Sequence, residues 1–368
     1  MKAAVMREPG RPLTLEDVNL AEPRDGEVRV RVLAAGVCHS DLHYMSGDLP
    51  SRLPIVLGHE GAGIVEQVGP GVTRVSPGDT VVLMWRPRCG QCEFCTAGRP
   101  ALCLRAQTQV QSGGLLDGSS RLSAGDEVVY HFLGVSCFAE ACVVSQESVV
   151  RIPTGTPPEI AAIAGCAVIT GVGAALNVMR GGAGQGCLVV GAGGVGLSAI
   201  IGANLAGAYP IIAADIAADK LDLASSLGAT HIIDAREGVI EDAVKAICPG
   251  GVAWAFEAIG KPETVRSAMA SLRAGGTTVA IGLGPAGSVL QVPLNDLVQH
   301  EKRLVGSLYG SSNTTTQIPQ LLELYSKGRL PLEKLLGSTF PLSDINEAYA
   351  GLSAGARGRS VILPNGVQ

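Results

Sequence analysis

The glycine-rich turn GAGGVG at residues 191–196 constrains this chain more than any other feature. It lies between the apolar run CLVV, which is typical of a buried strand, and the run LSAII, which predicts a helix. In such a turn one glycine permits the tight bend, the next lets a pyrophosphate approach the backbone, and the third lets helix and strand pack closely. Asp215 ends the next predicted strand, where an acid accepts hydrogen bonds from a ribose. The spacing predicts a dinucleotide site with Gly191, Gly193 and Gly196, and Asp215 favours NAD over NADP.

Each part of this site has an alternative interpretation. A glycine pattern also occurs in strand-to-helix turns that bind nothing, and an aspartate in this position also serves as a helix N-cap. Lys220 is placed to close over the adenosine ribose, and a solvated helix lysine fits the same position. The strand before the turn, the helix after it and the acid beyond it together favour the dinucleotide site.

The chain changes its pattern near residue 170. Before it, short β-branched segments punctuated by glycine, such as GEVRVRV and GAGIVEQVG, predict a β-rich region. After it, six predicted strands alternate mainly with helices, which predicts a parallel, doubly wound sheet. A helix at 317–327 and mixed short elements follow. We therefore expect an α/β protein with a discontinuous β-rich domain at 1–167 and 308–368 and a nucleotide-binding domain at 168–307.

Composition limits the compartment and the partners. The chain of 368 residues is long enough for two cores, and its net charge of −5 leaves no basic patch for nucleic acid. The apolar stretches 160–179 and 187–214 are rich in glycine and alanine and contain asparagine, so we expect buried elements and no membrane partner. The N-terminus lacks the features of a secretory signal, and ten cysteines point to reduced metal ligands in the cytoplasm.

Four cysteines form the pattern C-x-x-C-x-x-C followed by a fourth: Cys89, Cys92, Cys95 and Cys103. Four thiolates so close in sequence surround one tetrahedral zinc ion and leave no open position, as a structural site requires. Disulfides and an iron–sulfur cluster are the alternatives. A reducing compartment disfavours the first, and the lack of a second cluster motif in the sequence disfavours the second.

A second set of potential metal ligands is dispersed along the chain. Cys38 lies in GVCHSD, His59 and Glu60 lie in GHEGAG, and Cys166 lies in GCAVITG. Two thiolates and one imidazole leave a fourth zinc position open to water or substrate, as a catalytic zinc requires. Taken singly, each cysteine is as readily a small buried hydrophobe, and the histidine a structural residue.

The order of these motifs resembles that of the zinc-containing medium-chain alcohol dehydrogenases, nearly from end to end. The resemblance rests on GVCHSDLHYMSG, GHEGAGIVEQVG, the four-cysteine segment, HFLG, GCAVITG, GAGGVG, FEAIG and GRSVIL. It implies a GroES-like catalytic domain, a Rossmann coenzyme domain with a cleft between them, and one catalytic and one structural zinc per subunit. Alcohol dehydrogenase is the known example of a catalytic zinc held by two cysteines and one histidine.

Carried over residue by residue, the resemblance assigns the catalytic zinc to Cys38, His59 and Cys166. Glu60 matches a carboxylate that can approach the metal, with a simple salt bridge as its alternative. Asp41 matches the acid that orients the zinc-bound imidazole. Ser40 and His43 match the relay that carries the alcohol proton to solvent, and a surface hydroxyl is the alternative for Ser40.

The resemblance also implies the contacts of cofactor and substrate. The cofactor positions are His39 and Arg359 at the pyrophosphate, Gly194 in the glycine turn, and Thr170, Val195, Ile281 and Leu283 around the nicotinamide. The substrate positions are the apolar residues Leu49, Trp85, Phe132 and Leu133. Trp85 is expected to narrow the approach to zinc, which favours primary alcohols, aliphatic or aromatic, and an ordinary core position is its alternative.

The resulting hypothesis is a zinc-dependent oxidoreductase that interconverts primary alcohols and aldehydes with NAD. The main alternative is a dehydrogenase of the S-hydroxymethyl adduct of glutathione or mycothiol, although Leu49 and Gln107 stand near the places where such pockets carry charged groups. A non-catalytic relative and a zinc-free quinone or enone reductase are disfavoured because all three zinc ligands are present. Residues 104–142 resemble the branch that is commonly dimeric, so we expect a homodimer, with a tetramer as the open alternative.

Overall fold

The computed structural model describes residues 1–366, which form two compact units. Unit 1 comprises Met1–Cys166 and the chain from Asn313 onwards, and unit 2 is Ala167–Ser312. The sequence placed these divisions at 167/168 and 307/308. The second division lies later in the structure because the turn Tyr309–Ser311 packs within unit 2, where the Asn177 side-chain amide donates to the Gly310 carbonyl at 2.9 Å.

Unit 1 is rich in strands, as expected. In the described chain before unit 2, its strands are β1 (Lys2–Met6), β2 (Thr14–Asp17), β3 (Asn19–Leu20), β4 (Glu27–Gly36), β5 (Ile55–Val56), β6 (Glu60–Val68), β7 (Thr80–Leu83), β8 (Leu122–Ala124), β9 (Glu127–His131), β10 (Ala141–Ser145) and β11 (Val149–Arg151). Its helices there are α1 (His39–Met45), α2 (Glu93–Thr96), α3 (Ala106–Ser112) and α4 (Pro158–Ile163).

Strands and helices alternate in unit 2. They are α5 (Ile169–Asn177), β12 (Cys187–Val190), α6 (Gly194–Leu205), β13 (Ile211–Asp215), α7 (Ala218–Ser226), β14 (His231–Asp234), α8 (Ile240–Ile247), β15 (Val252–Glu257), α9 (Pro262–Ala270), β16 (Leu272–Ala280), α10 (Leu294–Gln299) and β17 (Arg303–Gly306). The chain then returns to unit 1 with α11 (Thr314–Ser326), β18 (Leu336–Pro341), α12 (Ile345–Ser353) and β19 (Arg359–Leu363).

Two sheets organise unit 1. The larger has the strand order β11-β7-β6-β4-β19-β18, with β10 also paired to β4, and the smaller has the order β2-β1-β5-β9-β8-β3. Alternate residues of β4, including Val28, Val30 and Val32, are fully buried, as the period of two in a strand requires. The C-terminal strand β19 pairs with β4, so the last segment of the chain completes the sheet that the N-terminal segment begins.

The sheet of unit 2 is parallel and six-stranded, with the order β14-β13-β12-β15-β16-β17. This is the doubly wound 3-2-1-4-5-6 order of a dinucleotide-binding fold, in which ligands bind beyond the carboxyl ends of the strands where the order reverses. The first strand, β12, is buried throughout because helices cover both faces of such a sheet. The predicted α/β fold class is therefore confirmed.

One helical stretch, Pro158–Asn177, is long and apolar enough to cross a membrane by length and composition. Of its most apolar window, 83% is buried inside the protein, as in the core helix of a globular domain. A π turn, Ala164–Val168, interrupts this stretch between α4 and α5. Such turns are rare in proteins, and those that occur often lie at functional sites. This one carries Cys166.

Candidate active site

The ends of two adjacent strands bring Cys38 and His59 together. Strands β4 and β6 are antiparallel, and Gly36 near the end of β4 lies opposite Glu60 at the start of β6. Cys38 follows Gly36 by two residues and His59 precedes Glu60, so both side chains leave the sheet at the same end. A Cβ atom at Gly36 would lie 2.3 Å from a carboxylate oxygen of Glu60, so only glycine fits here without displacing the carboxylate.

The dispersed ligands that the sequence predicted form one compact group. The ligand atoms of Cys38, His59, Glu60 and Cys166 all lie within 4.8 Å of one another, and all four residues are buried. Cys166 Sγ lies 3.5 Å from His59 Nε2. Zinc bonds of about 2.3 Å to sulfur and about 2.0–2.1 Å to nitrogen place these two atoms about 3.5 Å apart in a tetrahedral site. The donor set and its spacing therefore fit a catalytic zinc.

Asp41 fixes the imidazole of His59. Its Oδ1 lies 3.0 Å from His59 Nδ1, and Asp41 is completely buried. The other oxygen, Oδ2, accepts the backbone N–H of Cys38 at 3.3 Å, which closes the first turn of α1. A carboxylate on Nδ1 holds the proton there and leaves the lone pair of Nε2 for a metal. The position predicted for Asp41 from the sequence thus has the geometry that its role requires.

A buried ion pair adjoins the ligands. The Arg359 guanidinium contacts both carboxylate oxygens of Glu60, with Nε donating to Oε2 at 3.1 Å, and its Nη2 lies 3.2 Å from Cys38 Sγ. The pyrophosphate contact assigned to Arg359 stays a prediction, because in this structure its guanidinium is committed to Glu60 and Cys38. This contact was not predictable from the sequence, since no local pattern links residues so far apart in the chain.

These charges favour the thiolate of Cys38. A hydrogen bond with the Cys166 thiol, together with the positive charge of Arg359 and a hydrogen bond with His59, holds the pKa of Cys38 well below its usual range despite burial. Burial raises the pKa of Glu60 to about 7, against the opposing effect of Arg359. With a zinc ion in place, the charges of the ion, two thiolates, the carboxylate and the guanidinium cancel. The group is therefore suited to a divalent cation in a buried position.

Helix α1 carries the residues of the predicted proton relay. Ser40 is half-buried, and its backbone N–H donates to Cys38 Sγ at 3.5 Å. His43 lies one turn further, with Nδ1 3.2 Å from Asp48 Oδ2 and with 22% of its side chain exposed. His39, at the first position of the helix, is exposed. Asp48 was not predicted as a partner of His43, because its spacing of five residues matches no helical contact pattern.

Two aromatic rings, those of Trp85 and Phe132, contact His59, and Tyr44 packs on Phe132; we call Tyr44, Trp85 and Phe132 the aromatic cluster. The His59 ring centroid lies 5.7 Å from that of Phe132 and 6.3 Å from that of Trp85, both edge to face. The rings of Tyr44 and Phe132 are 4.7 Å apart. Two predicted substrate positions, Trp85 and Phe132, are therefore beside a candidate zinc ligand, and Tyr44, which no sequence motif indicated, packs on one of them.

The two remaining substrate positions lie in loops of unit 1. Leu49 is half-buried, and its backbone N–H donates to the His43 carbonyl at 2.9 Å. Leu133 adopts a left-handed conformation with a φ of 51°, directly after Phe132. A leucine rarely adopts this conformation, and such strain often marks a functional loop.

The four-cysteine segment is also compact. The four sulfur atoms lie within 4.8 Å of one another, with Cys89 and Cys95 3.9 Å apart and Cys92 and Cys103 4.0 Å apart. Sulfur ligands of a tetrahedral zinc are separated by about 3.8 Å. All four cysteines are free of disulfides. Although burial opposes it, backbone amides of Leu104 and Cys95 lower the pKa of Cys92 to about 6, so the thiolate form is favoured.

The glycine turn of unit 2 has the geometry of a phosphate-binding turn. Gly191 has a φ of +93°, and a Cβ on Gly196 would lie 1.7 Å from the Gly191 carbonyl oxygen. Gly193 precedes helix α6, which begins at Gly194, so the first amides of the helix are available to an anion. Asp215, at the end of β13, accepts the Ala192 N–H at 2.6 Å and is therefore adjacent to the turn. These residues fit a dinucleotide.

The other predicted cofactor residues are distributed over unit 2. Thr170 is buried on α5, Val195 is half-buried on α6, and Lys220 is half-buried on α7. The segment Ile281–Leu283 follows β16, where the Ile281 N–H donates to the Glu257 carbonyl at 2.8 Å and Leu283 is 51% exposed. All of these lie at the carboxyl ends of strands or in the helices of the dinucleotide fold, and their contacts with a cofactor stay predictions.

Comparison with known proteins assigns the chain to a family. Residues 24–154 match the alcohol dehydrogenase GroES-like domain, and residues 194–327 match the zinc-binding dehydrogenase domain. The chain is 39% identical to alcohol dehydrogenase class-3 of Drosophila melanogaster over 98% of its own length and 97% of that protein.

Solved structures give the same result. Benzyl alcohol dehydrogenase from Acinetobacter calcoaceticus is 34% identical, with a TM-score of 0.92 over 98% of both chains. A zinc-binding dehydrogenase from Sinorhizobium meliloti, whose structure holds NADP, is 27% identical, with a TM-score of 0.78 over 99% of both chains. The resemblance seen in the sequence is confirmed. The chain therefore belongs to the zinc-containing alcohol dehydrogenase family and is a zinc-dependent, nicotinamide-linked alcohol dehydrogenase.

Proposed function

We propose that the protein oxidises primary alcohols, aliphatic or aromatic, to aldehydes with NAD and catalyses the reverse reduction. The observation that carries the proposal is the buried group of Cys38, His59 and Cys166 with the aromatic cluster beside it. A zinc ion held by these three side chains supplies Lewis acidity, which lowers the pKa of a hydroxyl group and polarises a carbonyl. The apolar aromatic surroundings exclude water and favour alcohols without bulky branches at the reacting carbon.

The protein's own side chains move the hydroxyl proton. Ser40, two residues after the ligand Cys38, would accept the proton that the alcohol loses and pass its own hydroxyl proton through the cofactor ribose to His43. His43 lies on the same helix, is paired with Asp48 and is partly exposed, so it releases the proton to solvent. Asp41 contributes by orienting His59, and it takes no proton itself.

We propose NAD as the preferred cofactor. Asp215 places a carboxylate at the end of β13, next to the glycine turn. A carboxylate in this position accepts hydrogen bonds from the two ribose hydroxyls of NAD and repels the additional phosphate of NADP. We further propose two zinc ions per chain, because each of the two ligand groups has tetrahedral spacing.

The edge of the unit 2 sheet supports the proposal of a homodimer. Strand β17 ends the sheet, with Leu304 39% exposed, and the preceding helix α10 exposes Leu294 and Val298 by 71% and 64%. An edge strand offers backbone amides and carbonyls without partners, and two copies related by a two-fold axis pair these groups with each other. Leu304→Lys should shift the protein to a monomer in light scattering, and Leu15→Lys on β2 is the control. A monomeric wild-type protein would contradict the proposal.

We also propose that the protein works in the cytoplasm. Its ten cysteines are all free of disulfides, and nine of them are either candidate zinc ligands or buried. Thiol ligands require a reducing compartment to stay metal-bound. Fractionation of the native host tests this, and recovery of the protein with oxidised ligand cysteines outside the cytoplasm would contradict it.

The function is tested with zinc-loaded protein, NAD and a panel of 1-propanol, 1-hexanol, benzyl alcohol and the S-hydroxymethyl adducts of glutathione and mycothiol. We expect reduction of NAD by the simple alcohols and loss of turnover in Cys166→Ala, which should lose one zinc per chain and still bind NAD. Cys142→Ala is the control, because Cys142 is an equally buried cysteine of unit 1 outside both ligand groups. Turnover only with a thiol adduct would replace the proposed substrate, and full turnover of Cys166→Ala would refute the ligand assignment.

A further inference from the structure

Arg86 is a half-buried arginine without a counter-charge. Its Nε is buried and has no hydrogen-bond partner, and among the described residues no carboxylate lies within ion-pair distance of its guanidinium. The two most deeply buried arginines differ in this respect, because Arg121 pairs with Glu27 and Arg359 pairs with Glu60. A guanidinium withdrawn from water without such a partner lowers the stability of the protein. Its position therefore calls for an explanation other than stability.

The guanidinium of Arg86 lies on the aromatic cluster. Its Cζ is 5.2 Å from the centroid of the Trp85 ring, in a cation–π arrangement, and the Trp85 ring is edge-on to His59 at 6.3 Å. The Arg86 Cζ atom therefore lies no farther from the ring centroid of His59, a candidate zinc ligand, than the sum of these two distances. Arg86 also acts on Tyr44: burial raises the pKa of the Tyr44 hydroxyl, and the positive charge of Arg86 opposes that rise. The cation is thus one ring removed from the ligands, beside predicted substrate positions.

A substrate with an anionic end would supply the counter-charge that Arg86 lacks. A guanidinium stacked on an indole keeps its edge donors free, and their fork matches the two oxygens of a carboxylate. The distances from Arg86 to Trp85 and from Trp85 to His59 would let the hydroxyl end of such a molecule bind at the ligand group and its carboxylate at Arg86, with Trp85 beside the apolar part between them. A purely apolar alcohol fills the same space and leaves the guanidinium unpaired.

We propose that Arg86 is a specificity-determining residue that selects alcohols and aldehydes carrying a carboxylate remote from the reacting carbon. Hydroxymethylbenzoates and straight-chain ω-hydroxy acids have this chemistry. The inference rests on the proposed alcohol dehydrogenase function and deepens it, since it names the substrate class. Arg86 touches the substrate and not the reacting atoms, so its contribution appears in the choice between substrates and not in the hydride transfer itself.

The kinetic test compares matched pairs of substrates with and without the carboxylate. The pairs are 4-(hydroxymethyl)benzoate with benzyl alcohol and 6-hydroxyhexanoate with 1-hexanol. Arg86→Gln should lower kcat/KM for each carboxylate by about 10- to 100-fold, as expected for a lost charge-assisted hydrogen bond, and change that for its neutral partner by less than about threefold. Arg86→Lys should recover part of the preference because it retains the charge. Arg151→Gln, an exposed arginine of β11, is the matched control.

A binding test needs no turnover. Trp85 and Trp254 are the two tryptophans of the chain, so in a Trp254→Phe background the intrinsic fluorescence reports on Trp85, which lies under Arg86. Titration of the zinc-loaded protein with benzoate should change this fluorescence, and Arg86→Gln should weaken the binding by about 10-fold or more. Benzyl alcohol should bind equally to both proteins.

The outcomes separate this inference from the proposed function. If no alcohol in any pair is oxidised, the function fails, and the benzoate titration still tests Arg86 on its own. If neutral alcohols are oxidised and Arg86→Gln changes both members of a pair equally, Arg86 does not determine specificity. Burial lowers the pKa of Arg86, and the negative charge of Cys103, in the four-cysteine segment, opposes that shift. Loss of one zinc and a lower Tm in Arg86→Gln, with an unchanged substrate ratio, would assign Arg86 to that segment and overturn the inference.

Discussion

Arg359 holds Glu60 and Cys38 together, although 299 residues separate Arg359 from Glu60 in the sequence. Both members of the ion pair are almost fully buried, with exposed side-chain fractions of 5% and 0%. Removal of one member leaves the other charge buried without a partner, which typically costs about 3–5 kcal/mol. The pair therefore contributes both to the electrostatics of the ligand group and to the stability of unit 1.

We predict that Arg359→Gln lowers the free energy of unfolding of the zinc-loaded protein by about 3 kcal/mol. Glu60→Gln alone should cost a similar amount, and the double variant should cost clearly less than the sum, because it leaves no unpaired charge. Urea unfolding of the four proteins measures the coupling. Additive losses would show that the two side chains do not stabilise each other.

Asp215→Gly should erode the preference for NAD over NADP. The loss of the carboxylate removes hydrogen bonds to the ribose and the repulsion of a phosphate, so the ratio of kcat/KM values should fall by about 10-fold or more. Asp219→Asn, on the exposed face of α7, is the matched control and should keep the ratio. An unchanged ratio in Asp215→Gly would show that cofactor choice lies elsewhere.

Cys95→Ala should reduce stability before it affects the chemistry. One of four sulfur ligands is lost, so the segment from Cys89 to Cys103 loses its metal and its order. A loss of about 2 kcal/mol lowers Tm by roughly 4–8 °C in a domain of this size. Scanning calorimetry with zinc analysis measures the effect, and Cys248→Ala, at a half-buried cysteine of unit 2, is the control. A normally stable Cys95→Ala protein would contradict a structural metal at this site.

Acid should destabilise the protein through His131. This ring is buried, and its Nε2 accepts the backbone N–H of Arg121 at 3.1 Å. Burial and the positive charge of Arg121, opposed by Asp117, lower its pKa from 6.5 to about 3. Below about pH 6.5 the unfolded chain therefore binds a proton that the folded protein does not, so stability is present above that pH and is lost as the pH falls toward 3.

The measurement is the difference in unfolding free energy between wild type and His131→Gln. Glutamine can accept the same backbone N–H, so the variant keeps the hydrogen bond and loses the titration. Between about pH 7 and pH 5, the free energy of unfolding of wild type should fall by about 2 kcal/mol more than that of His131→Gln. His231→Gln, at an exposed ring on β14, should follow the wild-type curve. Parallel curves for wild type and His131→Gln would contradict the assignment.

The features that were predictable from the sequence have a common physical basis. The glycine turn and Asp215 lie within one βαβ unit, where local spacing determines geometry. Cys38 and His59 adjoin the paired ends of the neighbouring strands β4 and β6, and the family resemblance supplied their common role.

The contacts that the sequence did not predict depend on tertiary packing. Arg359 reaches Glu60 only because β19 pairs with β4, and the cation–π contact of Arg86 with Trp85 depends on rotamers that no sequence pattern encodes. The boundary of unit 2 also differs by a few residues, since the turn Tyr309–Ser311 packs on α5 after the last parallel strand has ended.

The pairing of β19 with β4 has a consequence for synthesis on the ribosome. Residues 167–312 are contiguous, so unit 2 can fold as soon as it has emerged. The thiolates and imidazole of unit 1 are translated early, yet the guanidinium that balances them arrives only after the whole of unit 2. Until then the nascent ligand group lacks its counter-charge, and the metal centre acquires its final electrostatic environment as one of the last events of folding.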